Sequence, residues 1–179
     1  MKKNDSKTPY ILIILLDLLV FFLLTAADLF TKHLAVLHLK DSEPIVLIPG
    51  ALQLRYLENR GAAFGVLQNQ RIFFAITGIA FILAVVWYLK KIPAESKYRV
   101  LRAVLVVVAA GDVGNLIDRV RLGYVVDFIY FSLINFPIFN VADIYVTVGT
   151  AVLFILVIFV YKEEDLEILK KKQISDEGE

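Results

Sequence analysis

The chain has 179 residues, enough for one domain, with a formal net charge of +1 and 59% hydrophobic residues. Its mean hydropathy of +0.71 is above that of a soluble domain, and its near-neutral balance gives no electrostatic case for nucleic acid. The lack of cysteine excludes disulfides, thiolate catalysis and Cys-ligated metal together.

Four apolar runs are long enough to cross about 30 Å of hydrocarbon as helices, the only simple way to satisfy their backbone in lipid. The first is Tyr10 to Ala27. Its basic start (Lys2, Lys3, Lys7) and small-residue end (Thr25, Ala26, Ala27) resemble a signal peptide. Its apolar stretch is longer than a signal-peptide core, so a retained span is expected.

A long loop, Asp28 to Arg71, follows. Val46 to Ile48 is β-prone, Pro49-Gly50 reads as a turn, and Leu52 to Leu57 partly alternates, which predicts a small hairpin at the membrane surface. His33 and His38, five apart, suit no single helical face and are expected in this loop; with no HExxH motif, zinc is not expected. The loop ends in ENRGAAFG, Glu58 to Gly65, whose small residues suit close backbone approach or tight packing.

The second span is Ile72 to Leu89 and the third Val100 to Ile117. Gly111, Asn115 and Asp118 share one face at the third span's end, and Asp118 with neighbouring Arg119 reads as an ion pair closing the helix. In the loop from Asp118 to Asn140, Asp127 stands within VVDFIYF between Gly123 and Pro137. A carboxylate in such apolar company is costly, and a short re-entrant or interfacial segment is expected there. The fourth span, Val141 to Tyr161, opens with a polar stripe at helical spacing: Asn140, Asp143, Thr147 and Thr150. Asn140 is placed to cap that helix with Asp143 in its first turn, where the helix dipole favours a negative charge. The mixed-charge tail after Tyr161 reads as a solvated, fraying helical turn.

Lys and Arg set the orientation. The N-terminal tail, the Lys90 to Arg102 connection and the C-terminal tail are the more basic stretches, which predicts both termini in the cytoplasm and the two polar loops outside. Trp87, Tyr88 and Tyr161 are expected as interface anchors at the inner ends of spans.

Asp127 and Asp143 are the two acids best placed to meet. Two carboxylates sharing one site cannot both ionise easily, so one keeps a proton. The charged one can take a proton from water while the neutral one polarises a peptide carbonyl, which is aspartic peptidase chemistry. A small proton-coupled transporter is the alternative, since intramembrane acids also serve proton relays.

The motifs carry a resemblance. DLFTKHL (Asp28 to Leu34), ENRGAAFG, GDVGNLIDRVRLGYVVDFI (Gly111 to Ile129) and FNVADIYVTVG (Phe139 to Gly149) together resemble the lipoprotein signal peptidase (signal peptidase II) family. The resemblance implies an all-α membrane fold of four spans with a small extracytoplasmic β-containing subdomain, one domain over residues 1–179. It implies a bacterial cell-membrane enzyme that cleaves prolipoproteins just before the diacylglyceryl-modified cysteine, near the extracytoplasmic face. It assigns Asp127 and Asp143 as the catalytic pair. Asn59, Asn115, Arg119, Asn140, Asp28 and Lys32 would position substrate or hold the pair. The implied partners are the lipidated prolipoprotein, membrane lipids and globomycin-type inhibitors; a monomer without metal or organic cofactor is expected. The chain departs from the family pattern at Asp112, where a small residue is usual, and at Leu29, where Gln is frequent; Asp17 has no family role. The A-G-D at Ala110 to Asp112 is also similar to the G-x-G-D element of presenilin-like proteases, without its first glycine.

Overall fold

The computed structural model describes residues 9–61 and 68–165. Most of the small-residue motif, Ala62 to Gly65, lies outside the described residues, as do Lys2, Lys3, Lys7 and the tail beyond Asp165. The element order is α1 (Tyr10–Leu39), β1 (Ile45–Ile48), β2 (Leu52–Asn59), α2 (Arg71–Lys91), α3 (Arg99–Arg121), β3 (Val125–Phe131) and α4 (Val141–Ile155), with a π turn at Leu156–Val160. Among the described residues four helical segments are long and apolar enough to cross a membrane. Large apolar residues such as Phe22, Ile72, Phe154 and Phe159 point outward, where lipid is their solvent.

The first helix runs on to Leu39, past the expected end at Ala27. The charges that suggested an end, Asp28 and Lys32, lie one turn apart and are buried at 0% and 2% exposure. They neutralise each other inside the protein, so the helix need not stop. His33 and His38 are exposed on this helix, not in a loop.

α3 is the central helix, packing against α1, α2 and α4. Its most apolar stretch is 56% buried, against 11% in each of the other three. Small residues let the backbones approach. A side-chain carbon on Gly111 would fall 2.6 Å from the Ala142 carbonyl oxygen, so α4 crosses α3 there at backbone distance.

At the far end, Ile92 and Pro93 stop α2. Arg102 Nη1 donates to Leu89 O at 2.7 Å, satisfying a C-terminal carbonyl, and Nη2 pairs with Asp17. Asp17 is thereby neutralised within the bundle. Tyr161 is buried and stacks on Tyr98 at 5.7 Å. Trp87 and Tyr88 are exposed, with Lys91 Nζ 3.5 Å from the Trp87 ring centroid.

β1, β2 and β3 form an antiparallel sheet in that order. The hairpin turns at Gly50, whose φ of 72° suits glycine. Asp127 lies on β3, not on a re-entrant segment: the β-branched and aromatic residues around it pair with β2, which satisfies their backbone. Ala35, Leu39, Val126 and Phe128 form the core beneath the sheet.

Candidate active site

The sheet, the end of α3 and the start of α4 bring the predicted polar residues to one place. α3 ends at Arg121, and Gly123, with a φ of 84°, turns the chain into β3. Asp118 Oδ2 then accepts from Val126 N at 3.2 Å, anchoring the residue before Asp127. Leu57 is opposite Asp127, and Asn59 is opposite Val125. Asn59 is therefore a diagonal neighbour of Asp127 on the same sheet face, and its Nδ2 donates to Asp127 Oδ2 at 2.9 Å.

After β3 the chain returns. Phe139 bridges to Ile129, with Ile129 N to Phe139 O at 2.8 Å. That contact places Asn140 beside Asp127, and Asn140 Nδ2 donates to Asp127 Oδ1 at 2.6 Å. Asn140 also caps α4. Its Oδ1 accepts from Asp143 N, and its own N–H donates to Asp143 Oδ2, each at 3.0 Å. One residue thus contacts both acids.

α1 and α3 supply the other side. Lys32 Nζ donates to Asn115 Oδ1 at 2.9 Å, and Asn115 Nδ2 donates to Asp143 Oδ1 at 2.8 Å. Lys32 also lies 2.9 Å from Asp28 Oδ2 and 3.1 Å from Asp118 Oδ2. Asp28 Oδ1 accepts from Ala142 N at 2.9 Å, tying α1 to the start of α4.

Asp118 therefore pairs with Lys32 and not with Arg119. The Arg119 guanidinium lies 4.6 Å from the Phe74 ring centroid and donates to Gly61 O at 3.4 Å. Asp112 stays apart from the acids, against Gly78 of α2, with one buried oxygen lacking a hydrogen-bond partner.

Asp127 is 1% exposed. Burial, and secondarily the charge of Asp143, push its carboxyl up to about 7, against the opposing pull of the Asn59 and Asn140 donors and Lys32. Asp143 accepts two N–H bonds, from Asn115 Nδ2 and from the Asn140 backbone, in the first turn of α4. Both acids open onto a cleft of about 220 Å³, lined also by Asn59, Asn115, Arg119, Phe136, Pro137 and Thr147. A larger groove between α3 and α4 is lined mainly by valines and carries no acid.

Sequence reasoning missed three contributors. Asp118 reads as the partner of adjacent Arg119, whereas its ion-pair partner Lys32 lies on another helix. Gly114 is required because a side-chain carbon there would collide with the Asp28 carboxylate. The Phe136 to Phe139 wall gives no local signal beyond Pro137.

Residues 20–159 match the family described as Signal peptidase (SPase) II. A lipoprotein signal peptidase of Streptococcus thermophilus is 44% identical over 142 residues, covering 79% of this chain and 90% of the relative. One of Streptococcus pyogenes is 41% identical over 150 residues, covering 84% and 95%. A bacterial membrane enzyme solved by the in meso method superposes with a TM-score of 0.72 at 31% identity, covering 82% of this chain and 92% of that one. A second gives 0.69 at 29% identity, covering 81% and 94%. With its four apolar helices, this multi-pass membrane protein is a peptidase that belongs to the signal peptidase II family.

Proposed function

We propose that the protein removes the signal peptide from bacterial prolipoproteins as an aspartic endopeptidase, cutting before the diacylglyceryl-modified cysteine. The observation that carries the aspartic assignment is the pairing of Asp127 and Asp143 through Asn140 in one cleft. In this reading Asp127 holds the proton and Asp143 the charge. Asp143 takes a proton from a water as its oxygen attacks the scissile carbonyl carbon, and Asp127 gives its proton to the carbonyl oxygen. The tetrahedral intermediate collapses when its C–N bond breaks. The leaving cysteine nitrogen receives the proton held by Asp143, and Asp127 recovers one from the intermediate's hydroxyl. Arg119 lines the cleft beside the acids and donates to Gly61 O.

The basic connections support a topology with both termini in the cytoplasm and the acids near the extracytoplasmic face of the cell membrane. The substrate then enters sideways from lipid, its acyl chains against apolar helix faces. The protein acts as a monomer, and globomycin-type inhibitors occupy the same cleft. Purified protein in detergent is expected to cleave a diacylglyceryl-modified prolipoprotein immediately before the lipidated cysteine, read by mass spectrometry, and globomycin is expected to block it. A folded, monodisperse sample that leaves this substrate intact would favour proton transport instead.

A further inference from the structure

The residue before each acid is held in the same way. Val126 N, one residue before Asp127, donates to Asp118 Oδ2 at 3.2 Å. Ala142 N, one residue before Asp143, donates to Asp28 Oδ1 at 2.9 Å. Lys32 Nζ stands between the two carboxylates, 2.9 Å from Asp28 Oδ2 and 3.1 Å from Asp118 Oδ2. Val126, Ala142, Asp28, Lys32 and Asp118 are all buried.

Each N–H needs an acceptor for a local reason. β3 is an outer strand of the sheet, and side chains complete its free edge at Val126: Asp118 takes the N–H, and Asn140 Nδ2 donates to the carbonyl at 3.4 Å. Ala142 lies in the first turn of α4, where N–H groups have no intrahelical partner, and Asn140 caps that of Asp143. A neutral acceptor would satisfy either group. Carboxylates bridged by a buried cation gain little stability over apolar packing, so stability alone does not account for them. What the bridge adds is a fixed separation, because β3 and α4 are tied to one ammonium at points one residue from each acid. The tie has little slack. A side-chain carbon on Gly114 would fall 2.3 Å from Asp28 Oδ2, and Lys32 is held from a third side by Asn115 Oδ1 at 2.9 Å.

We infer that Asp118 is a further positioning residue for the cleavage: with Asp28 and Lys32 it forms a clamp that sets the spacing of Asp127 and Asp143 through the backbone. None of the three lines the cleft, so the clamp acts on the acids and not on the substrate. The inference rests on the peptidase reading above and adds how the acid pair is kept in register.

Steady-state kinetics on the diacylglyceryl-modified prolipoprotein, with folded and monodisperse protein, test it. Asp118→Leu, similar in size but without an acceptor, should lower kcat roughly a hundredfold, the effect of an ångström-scale misplacement, with KM unchanged. Asp118→Asn keeps an acceptor for Val126 but loses the charge facing Lys32. It should lower kcat roughly tenfold, again with KM unchanged, and it carries the test if Asp118→Leu does not fold. Asp17→Ala breaks the pair with Arg102 at the other end of the bundle. It should lower the melting temperature while leaving kcat and KM at wild-type values. A kcat within about twofold of wild type in either folded Asp118 variant, or a rise in KM in place of the kcat loss, would overturn the clamp. So would an equal kcat loss in Asp17→Ala. Wild type that leaves the prolipoprotein intact would instead overturn the peptidase reading on which the clamp rests.

Discussion

Asn140 donates its side-chain amide to Asp127 Oδ1 at 2.6 Å, and its orientation is dictated by what else it touches. Its oxygen must face the Asp143 N–H, which can only donate, so its NH₂ must face Asp127. The same logic fixes Asn115, whose oxygen faces the Lys32 ammonium, and Asn59, whose oxygen faces Gly61 N–H at 3.0 Å. Three asparagines are therefore set as donors to the two acids. Asn140→Asp keeps a capping oxygen for α4 but replaces the donor to Asp127 by a third carboxylate. Cleavage should fall by at least about 100-fold, with α4 still capped and far-UV circular dichroism unchanged.

The proton on Asp127 predicts a pH profile. In the proposed mechanism Asp127 must be protonated and Asp143 charged, so kcat/KM should fall as pH rises through about 7, an apparent value belonging to the pair. Asn59 stabilises the charged form of Asp127, so Asn59→Ala should move this alkaline limb to higher pH. A limb that stays in place would separate Asn59 from the titration.

The same group links stability to pH. Its carboxyl is raised from 3.8 to about 7 in the folded protein, so the folded state binds the proton more tightly than the unfolded chain. Stability should decline as pH climbs from about 4 to about 7 and level off above. Asp127→Asn should remove this slope, so its melting temperature relative to wild type should rise across that interval.

Lys32 is 2% exposed between Asp28 and Asp118. Lys32→Met leaves two buried carboxylates without their cation and should cost about 3–5 kcal/mol. Adding Asp28→Asn and Asp118→Asn should recover part of the melting temperature, though not the activity.

The spans, the hairpin and the acid pair were legible because each has a local signature: long apolar runs, a Pro-Gly turn between β-prone residues, and acids beside helix and turn signals. What was not legible depends on distant partners. Asp28 and Lys32 read as the end of a span, because the residues completing their network, Asn115, Asp118 and Ala142, arrive from α3 and α4. Asp118 read as the partner of adjacent Arg119, since sequence proximity cannot reveal that Lys32 is nearer. VVDFIYF suits an interfacial segment and a strand equally until β2 is seen beside it.

Asp112 tests the presenilin-like alternative. It faces Gly78 of α2 and is absent from the cleft lining. Asp112→Asn should retain cleavage within a few-fold of wild type, whereas an inactive variant would place the catalytic acid on α3.

The central claim is that Asp127 and Asp143 together perform the cleavage. The most direct measurement is turnover of a diacylglyceryl-modified prolipoprotein by Asp127→Asn and Asp143→Asn proteins that remain folded and monodisperse in detergent. Both variants are predicted to show no detectable product under conditions where wild type completes the reaction. Near-normal turnover by either variant would contradict the assignment.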